Sequence, residues 1–415
     1  TGRRRAGLTA NASGKPNDVH RRSITTSDRR QPMTDHDDPP RRSPLYDVQA
    51  EAGARFTDFG GWEMPVSFAG IREEHHAVRN AAGVFDVSHM GEVEVTDTDA
   101  EALMQRLTSN DVTDLDDGDA QYALITDDDG VILDDTVVYR RGPESFLFVP
   151  NAGHDAEMTG WWTEGRDRWD FRADVENVTD EYAMLAVQGP DAPGIVQEEA
   201  DADLDSLGFF EFVETTVAGL ECLVSRSGYT GEPGFEVIAP WDEATALWEA
   251  FVVEGDCGPC GLGARDTLRT EMGYLLSGQD FDAGSNPRNP FEADVGFAVA
   301  LETDFVGRDA LVEVAEAGGP AERLAGFVLD ERGVPRHGYP ILAGDGGDDE
   351  GDEASTTDEP IGTVTSGTMS PTLGEPIGLG YLPVGYTEPG TPIRIEIRGR
   401  ALAATVRATP FITRD

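Results

Sequence analysis

Two adjacent carboxylates, Asp134 and Asp135, lie in the middle of a run that otherwise reads as a buried strand, and they are the residues best placed to do chemistry. Val131 to Tyr139 is β-branched or aliphatic apart from this pair. Tyr122 to Thr126 before it is apolar and β-favouring, and Asp127 to Gly130 between them has the composition of a tight turn. Side chains alternate along a strand, so Asp135 shares a face with Val131, Leu133, Val137 and Tyr139, and Asp134 with Ile132, Thr136 and Val138. Neither face looks solvated, so at least one carboxylate is expected to be partly buried. Burying an ionised group is costly, which marks the pair as a functional candidate. The residues alone leave a second reading open, in which the acids end a strand and turn back to water.

Other combinations of reactive types lead less far. His75 and His76 are neighbours on a predicted helix over 71–82 that closes at Gly83, and they point about 100° apart, whereas two ligands on one face need spacing i, i+3 or i+4. Asp86, Ser88 and His89 fall within 85–95, read as one alternating strand that would send Ser88 and His89 to opposite faces. No G-x-S-x-G elbow accompanies them, so hydrolysis is rejected. Cys257 and Cys260 form a single C-x-x-C without the second pair a zinc ribbon needs. GLGARD (261–266) lacks the lysine and spacing of a phosphate-binding loop.

The elements that must position the acids follow in order. A short helix and a Gly-rich aromatic turn occupy 43–68, and a helix carries Leu103 and Leu107. Another, over 154–164, holds Trp161 and Trp162. A buried strand and helix start lie in 184–196, and 221–240 reads as a hairpin with the Gly-rich tip SGYTGEPG. One helix is expected to present Trp241, Leu247, Trp248 and Phe251, and another begins near Ala264. Beyond about residue 296, short strands punctuated by Gly and Pro argue for a separate antiparallel barrel or sandwich. The expected organisation is a disordered basic tail over 1–42, a mixed α/β region over 43–292, and a β-barrel over 293–415. A solvated acidic loop at 344–360 interrupts the barrel.

The totals limit the partners. The 415 residues include 32 Lys/Arg against 79 Asp/Glu, a net charge of −47. Residues 43–415 hold 22 basic and 74 acidic side chains, and the single lysine is Lys15. Such a body excludes binding to nucleic acid or anionic membrane through a general field, and points to life in high salt. No apolar run approaches the roughly 18–20 residues that span a bilayer. Cys222, Cys257 and Cys260 suggest a reducing, cytoplasmic setting.

Taken together, SPLYD (43–47), FGGWEMPV (59–66), EEHHAVR (73–79), GVFDVSHM (83–90), GVILDDTVVY (130–139), VQGPDA (187–192), SGYTGEPGFE (227–236), GLGARDTLR (261–269), IGTVTSGTMSPTLG (361–374) and RATPF (407–411) resemble one family, the aminomethyltransferases (T-proteins) of the glycine cleavage system. The resemblance runs from about Pro44 to Ile412. It implies an α+β fold of three domains, two mixed α/β domains around a central cavity plus a C-terminal antiparallel β-barrel. The activity it implies moves the one-carbon unit of an aminomethylated lipoyl H-protein to tetrahydrofolate, the acceptor substrate, without a metal. Residue by residue it matches the catalytic aspartate to Asp135 and folate contacts to Met90, Tyr122, Asn151, Tyr229, Glu236 and Arg265. Glu236 suits a ring N–H beside an exocyclic amine, since a carboxylate accepts two parallel hydrogen bonds. Arg265 would meet an acceptor on the ligand or hold Glu236. A folate-dependent demethylase shares the fold, as does an iron–sulfur-maintenance branch. That branch is disfavoured because GYLLSGQDF (273–281) lacks its lysine and cysteine.

Overall fold

The computed structural model describes residues 39–344 and 359–413. The acid pair sits on the long strand Ile132–Gly142, which pairs antiparallel with Ala120–Thr126 on one side and Ser145–Val149 on the other. The turn between the first two strands is held by Asp127, whose Oδ1 accepts from the amides of Asp129 and Val131 at 3.0 Å each. Gly130 there adopts φ +76°, a left-handed conformation open to glycine. Val93–Thr96 and Asp174–Asn177 complete a five-stranded antiparallel sheet. Helices Ala100–Leu107 and Asp155–Trp169 pack on it, with Trp162 stacked on Phe148 at 4.2 Å.

A six-stranded sheet runs Phe212–Val217, Leu220–Ser225, Gly234–Pro240, Tyr182–Gln188, Gly83–Asp86 and Gly258–Cys260. Its pairs are antiparallel except the last, where Gly83 aligns parallel with Gly258. All five strands of the first sheet are thus inserted between the fifth strand of this sheet and the rest. The two sheets share a core: Tyr139, Leu147 and Val149 of one pack with Phe85, Met184, Ala186, Leu223 and Ile238 of the other, and with Ala264 and Leu268 of the helix Leu262–Met272. Toward the other end of the same strands, past the acid pair, Leu124 and Ile132 pack with Leu324, Val328, Ile377 and Leu379. These belong to a closed six-stranded antiparallel barrel of Glu322–Leu329, Pro376–Pro383, Pro360–Met369, Pro340–Ala343, Pro392–Ile397 and Arg400–Arg407. Apolar side chains therefore pack against the acid-bearing strand on both sides of the acid pair along its length.

Four expectations need correction. Residues 85–95 form two strands in different sheets, because the chain turns after Asp86: its carboxylate accepts from Ser43 Oγ (2.5 Å), Gln49 Nε2 (2.7 Å) and the Ser88 amide (3.0 Å). Gly83 is no helix cap. The helix Ile71–Asn80 ends before it, and Gly83 opens the strand, where a Cβ would lie 2.5 Å from Val78 Cγ2 and 2.7 Å from Cys260 Sγ. The helix expected around Trp248 is broken into a turn at Trp241–Glu243, Ala244–Trp248 and a widened π-type turn at Glu249–Glu254. The basic tail read over 1–42 stops short of Arg41, whose backbone bonds to Gly61 and Glu63 at 2.8 Å each and whose guanidinium covers Trp62 at 4.0 Å. Residues 1–38 and 345–358, the rest of that tail and most of the acidic loop, lie outside the described residues.

Candidate active site

The two carboxylates have different surroundings. Asp134 is fully buried, and Asp135 is half-buried. Tyr122 pairs with Val137 across the strands, so its ring lies diagonal to Asp135 on the same face, and Tyr122 Oη donates to Asp135 Oδ2 at 2.8 Å. Asn151, just past the neighbouring strand, spans the pair. Its Nδ2 donates to Asp135 Oδ1 at 2.6 Å and approaches Asp134 Oδ1 at 2.8 Å, while its backbone amide donates to Asp134 Oδ2 at 3.0 Å. Burial and then the neighbouring Asp134 charge make Asp135 harder to ionise, against the Tyr122 and Asn151 hydrogen bonds, and leave it raised to about 6.

A second group lies opposite. The Gly-rich tip of the hairpin between Leu220–Ser225 and Gly234–Pro240 brings Tyr229 over to Leu275, whose carbonyl accepts its hydroxyl. Tyr274 stacks on Tyr229 at 5.6 Å, and the Arg265 guanidinium stands 4.6 Å from the Tyr229 ring centre. Burial raises the Tyr229 hydroxyl, against the Arg269 and Arg265 charges, and the Asp135 charge adds to the rise. Glu236 lies on the next strand, and its Oε2 accepts from Ser227 Oγ at 2.6 Å. Burial raises its pKa, partly offset by the Ser227 bond and the Arg265 charge. Met90 packs, partly buried, against the core that contains Phe85, Tyr139 and Met184.

Among the described residues, Arg265 has no carboxylate partner within ion-pair distance, and Glu236 Oε1 has no donor. A guanidinium left unpaired in a largely buried setting, beside a half-satisfied carboxylate and two tyrosine rings, fits a flat ligand that has its own acceptors and adjacent N–H donors. Asp266, the sequence neighbour of Arg265, pairs instead with Arg269, at 2.7 Å.

Ser277, His154 and Phe297 border the site without a sequence signal that singles them out, and His89, read only as part of a rejected triad, joins them. Ser277 Oγ donates to Asp134 Oδ1 at 3.2 Å, and His154 Nδ1 lies 3.2 Å from the same oxygen. His89 is buried with Nδ1 unpartnered, and burial followed by the Arg265 charge lowers it to about 3, so it stays neutral. Phe297, 77 % exposed, stacks on Tyr122. Ser277 lies in GYLLSGQDF (273–281), which carries no local signal that it folds against the acid pair, and His154 stands three residues beyond Asn151, a spacing that becomes a contact only once the chain turns into the helix Asp155–Trp169.

The combinations rejected from the sequence have structural occupations. His75 is buried against Thr267 and Thr372, at 2.8 and 2.9 Å. Ser88 exchanges hydrogen bonds with the Met184 backbone. Cys257 and Cys260 are free and buried in two different cores; burial pushes the Cys257 thiol up to about 12 and raises Cys260 as well, which leaves both unreactive. No helix among the described residues is long and apolar enough to cross a membrane.

Comparison with known proteins agrees with this architecture. Residues 45–303 match the model of the GCVT N-terminal domain, and 322–412 match that of the glycine cleavage T-protein C-terminal barrel domain. A probable aminomethyltransferase of Halobacterium salinarum is 58 % identical over 375 residues, covering 90 % of this chain and 99 % of that protein. An aminomethyltransferase of Bacillus cytotoxicus is 45 % identical over 380 residues, covering 90 % and 98 %. The crystal structure of glycine cleavage system aminomethyltransferase T from Bartonella henselae superposes with a TM-score of 0.80 at 30 % identity, covering 90 % of this chain and 98 % of that one. With both halves of the family's architecture matched in order and the barrel closed as its name requires, the chain belongs to the glycine cleavage T-protein family.

Proposed function

We propose that this protein is the aminomethyltransferase of a glycine cleavage system. It takes the aminomethyl group from the lipoyl arm of an H-protein, releases ammonia and passes the one-carbon unit to tetrahydrofolate, giving 5,10-methylenetetrahydrofolate and the dihydrolipoyl carrier. The reaction is cytoplasmic and uses no metal. The observation that supports this most directly is the Asp135 carboxylate, held at both oxygens by Tyr122 and Asn151.

Ammonia leaving an S-aminomethyl group builds positive charge on the methylene carbon. A carboxylate already in place stabilises that charge without reorganising, and more strongly where water is excluded. The Tyr122 and Asn151 hydrogen bonds fix the Asp135 rotamer and favour its ionised form. The same oxygens are placed to accept the proton displaced from the attacking nitrogen. Tetrahydrofolate supplies that nitrogen when bound. We assign Glu236 to its N–H donors, Arg265 to an acceptor, Tyr229 and Tyr122 to its faces, and Met90 to the apolar floor, with Asn151 orienting Asp135.

The test is an assay of purified protein in molar KCl with tetrahydrofolate and either an aminomethylated lipoyl H-protein or a methylated amine such as dimethylglycine. Methylenetetrahydrofolate formed from the first donor alone is the expected result. Turnover of the methylated amine alone would reassign the chain to a demethylase.

A further inference from the structure

Asp134 lies directly beside the proposed catalytic carboxylate, is fully buried, and is surrounded almost wholly by neutral donors. These are the Asn151 amide (3.0 Å), Asn151 Nδ2 (2.8 Å) and Ser277 Oγ (3.2 Å). The remaining approach is His154 Nδ1, 3.2 Å from Asp134 Oδ1, an ion pair whose ring N–H is not aligned on the oxygen. His154 is the residue just before the helix Asp155–Trp169, and its amide bonds to the Asn151 carbonyl at 3.0 Å. One short turn therefore holds both Asn151 and His154 against the pair. About a third of the His154 side chain is exposed, so protons reach it from solvent.

We infer that His154 is a positioning residue for the transfer: as an imidazolium it balances the buried charge of Asp134 and so keeps Asp135 ionised where the enzyme works. This rests on the reading of Asp135 as the catalytic carboxylate. The titratable groups that face His154 are Asp134 and Asp135 on the strand Ile132–Gly142, Glu157 on its own helix, and Asp282 in the segment after Phe281. All are acidic. Burial disfavours the charged ring, but the Asp134 contact outweighs it and raises His154 to about 9. The imidazolium is thus present through the neutral range, where it offsets the Asp134 charge that makes Asp135 harder to ionise. Without it, Asp135 holds its proton to higher pH.

The experiment is a pH profile of kcat and KM for tetrahydrofolate in molar KCl, for wild type, His154→Gln, His154→Arg and Asp135→Asn. His154→Gln should lose about fivefold in kcat at pH 6 relative to wild type, approach tenfold at lower pH, recover to within about twofold at pH 8, and keep its KM, since displacing the ionisation by one pH unit cuts the ionised fraction at pH 6 from about one half to about one in eleven. His154→Arg, a permanent cation, should restore the acid limb. An acid limb in His154→Gln that coincides with wild type, or a loss equal at every pH, overturns the inference. Asp135→Asn separates the two levels. Its inactivity at every pH upholds the underlying assignment whatever His154→Gln does, and its activity removes the basis of both.

Discussion

At the scale of single residues, the site separates one carboxylate that is structural from one that is available. Asp134 is enclosed by four approaches, whereas each Asp135 oxygen receives one side-chain donor and retains lone pairs. On the proposed mechanism the ionised form of Asp135 is the active one, so activity should fall as pH drops through about 6. Tyr122→Phe removes a hydrogen bond that favours ionisation, so its acid limb moves to higher pH, as a kcat profile would show; an unmoved limb would mean that the Tyr122 contact has no bearing on Asp135. Arg265→Leu should raise KM for tetrahydrofolate by roughly tenfold or more, the loss of one charge-assisted contact of about 1.5–3 kcal/mol, with a smaller change in kcat. Equal KM values in titrations of the two proteins would remove Arg265 from the ligand contacts.

At the scale of elements, the helix Leu262–Met272 joins the mixed α/β region to the barrel. Glu271, fully buried, accepts from Arg79 Nη2 (2.8 Å), Ser370 Oγ (2.5 Å) and Thr372 Oγ1 (2.9 Å). Arg269 pairs with Asp280 (2.8 Å) and reaches Ser366 on the barrel strand Pro360–Met369 (2.8 Å). Removing one partner leaves the other charge buried, so Glu271→Gln should destabilise by about 3–5 kcal/mol in denaturant titration. Burial by itself would raise the Glu271 pKa, but the His75, Ser370 and Arg79 contacts outweigh it and hold the carboxylate down at about 2. A folded pKa below the unfolded one stabilises above the unfolded value, about 4.3, and that contribution is lost as pH falls towards 2. A variant whose stability matched wild type at pH 7 would contradict this. These ties were invisible in the sequence, because Arg79, Glu271 and Ser370 are far apart along the chain and acquire meaning only through the fold. The strand bearing the acid pair was legible, since its β-branched run and Asp-Gly turn are local signals. The break after Asp86 was missed because it depends on Ser43 and Gln49 from another element. Asp135, Tyr122, Asn151, Tyr229, Glu236 and Arg265 came from motif resemblance; composition and periodicity had marked only the acid pair.

At the scale of the whole molecule, the charge of −47 decides the solvent in which the other statements apply. Arginines at the surface are shared between acids: Arg140 contacts Glu101 and Asp117, and Arg141 contacts Glu94 and Glu214. These pairs leave most of the acidic excess uncompensated. The screening length falls from about 8 Å at 0.15 M salt to about 3 Å at 1 M, so self-repulsion across the surface is suppressed only in concentrated salt. The similarity to a Halobacterium salinarum protein fits that demand. Thermal unfolding followed by circular dichroism should show Tm rising by about 10 °C or more between 0.2 M and 3 M KCl, the equivalent of a few kcal/mol in a chain of this size. A Tm independent of KCl would contradict the halophilic reading without touching the active site.

The most direct test of the central claim is Asp135→Asn, measured in molar KCl for tetrahydrofolate affinity and for single-turnover transfer from aminomethylated H-protein. Asparagine keeps the shape and removes the charge. The account predicts affinity within about threefold of wild type and a transfer rate lower by about 10²–10³-fold, the usual loss when one preorganised electrostatic group is removed. Transfer at the wild-type rate would contradict it and would move the chemistry away from this carboxylate.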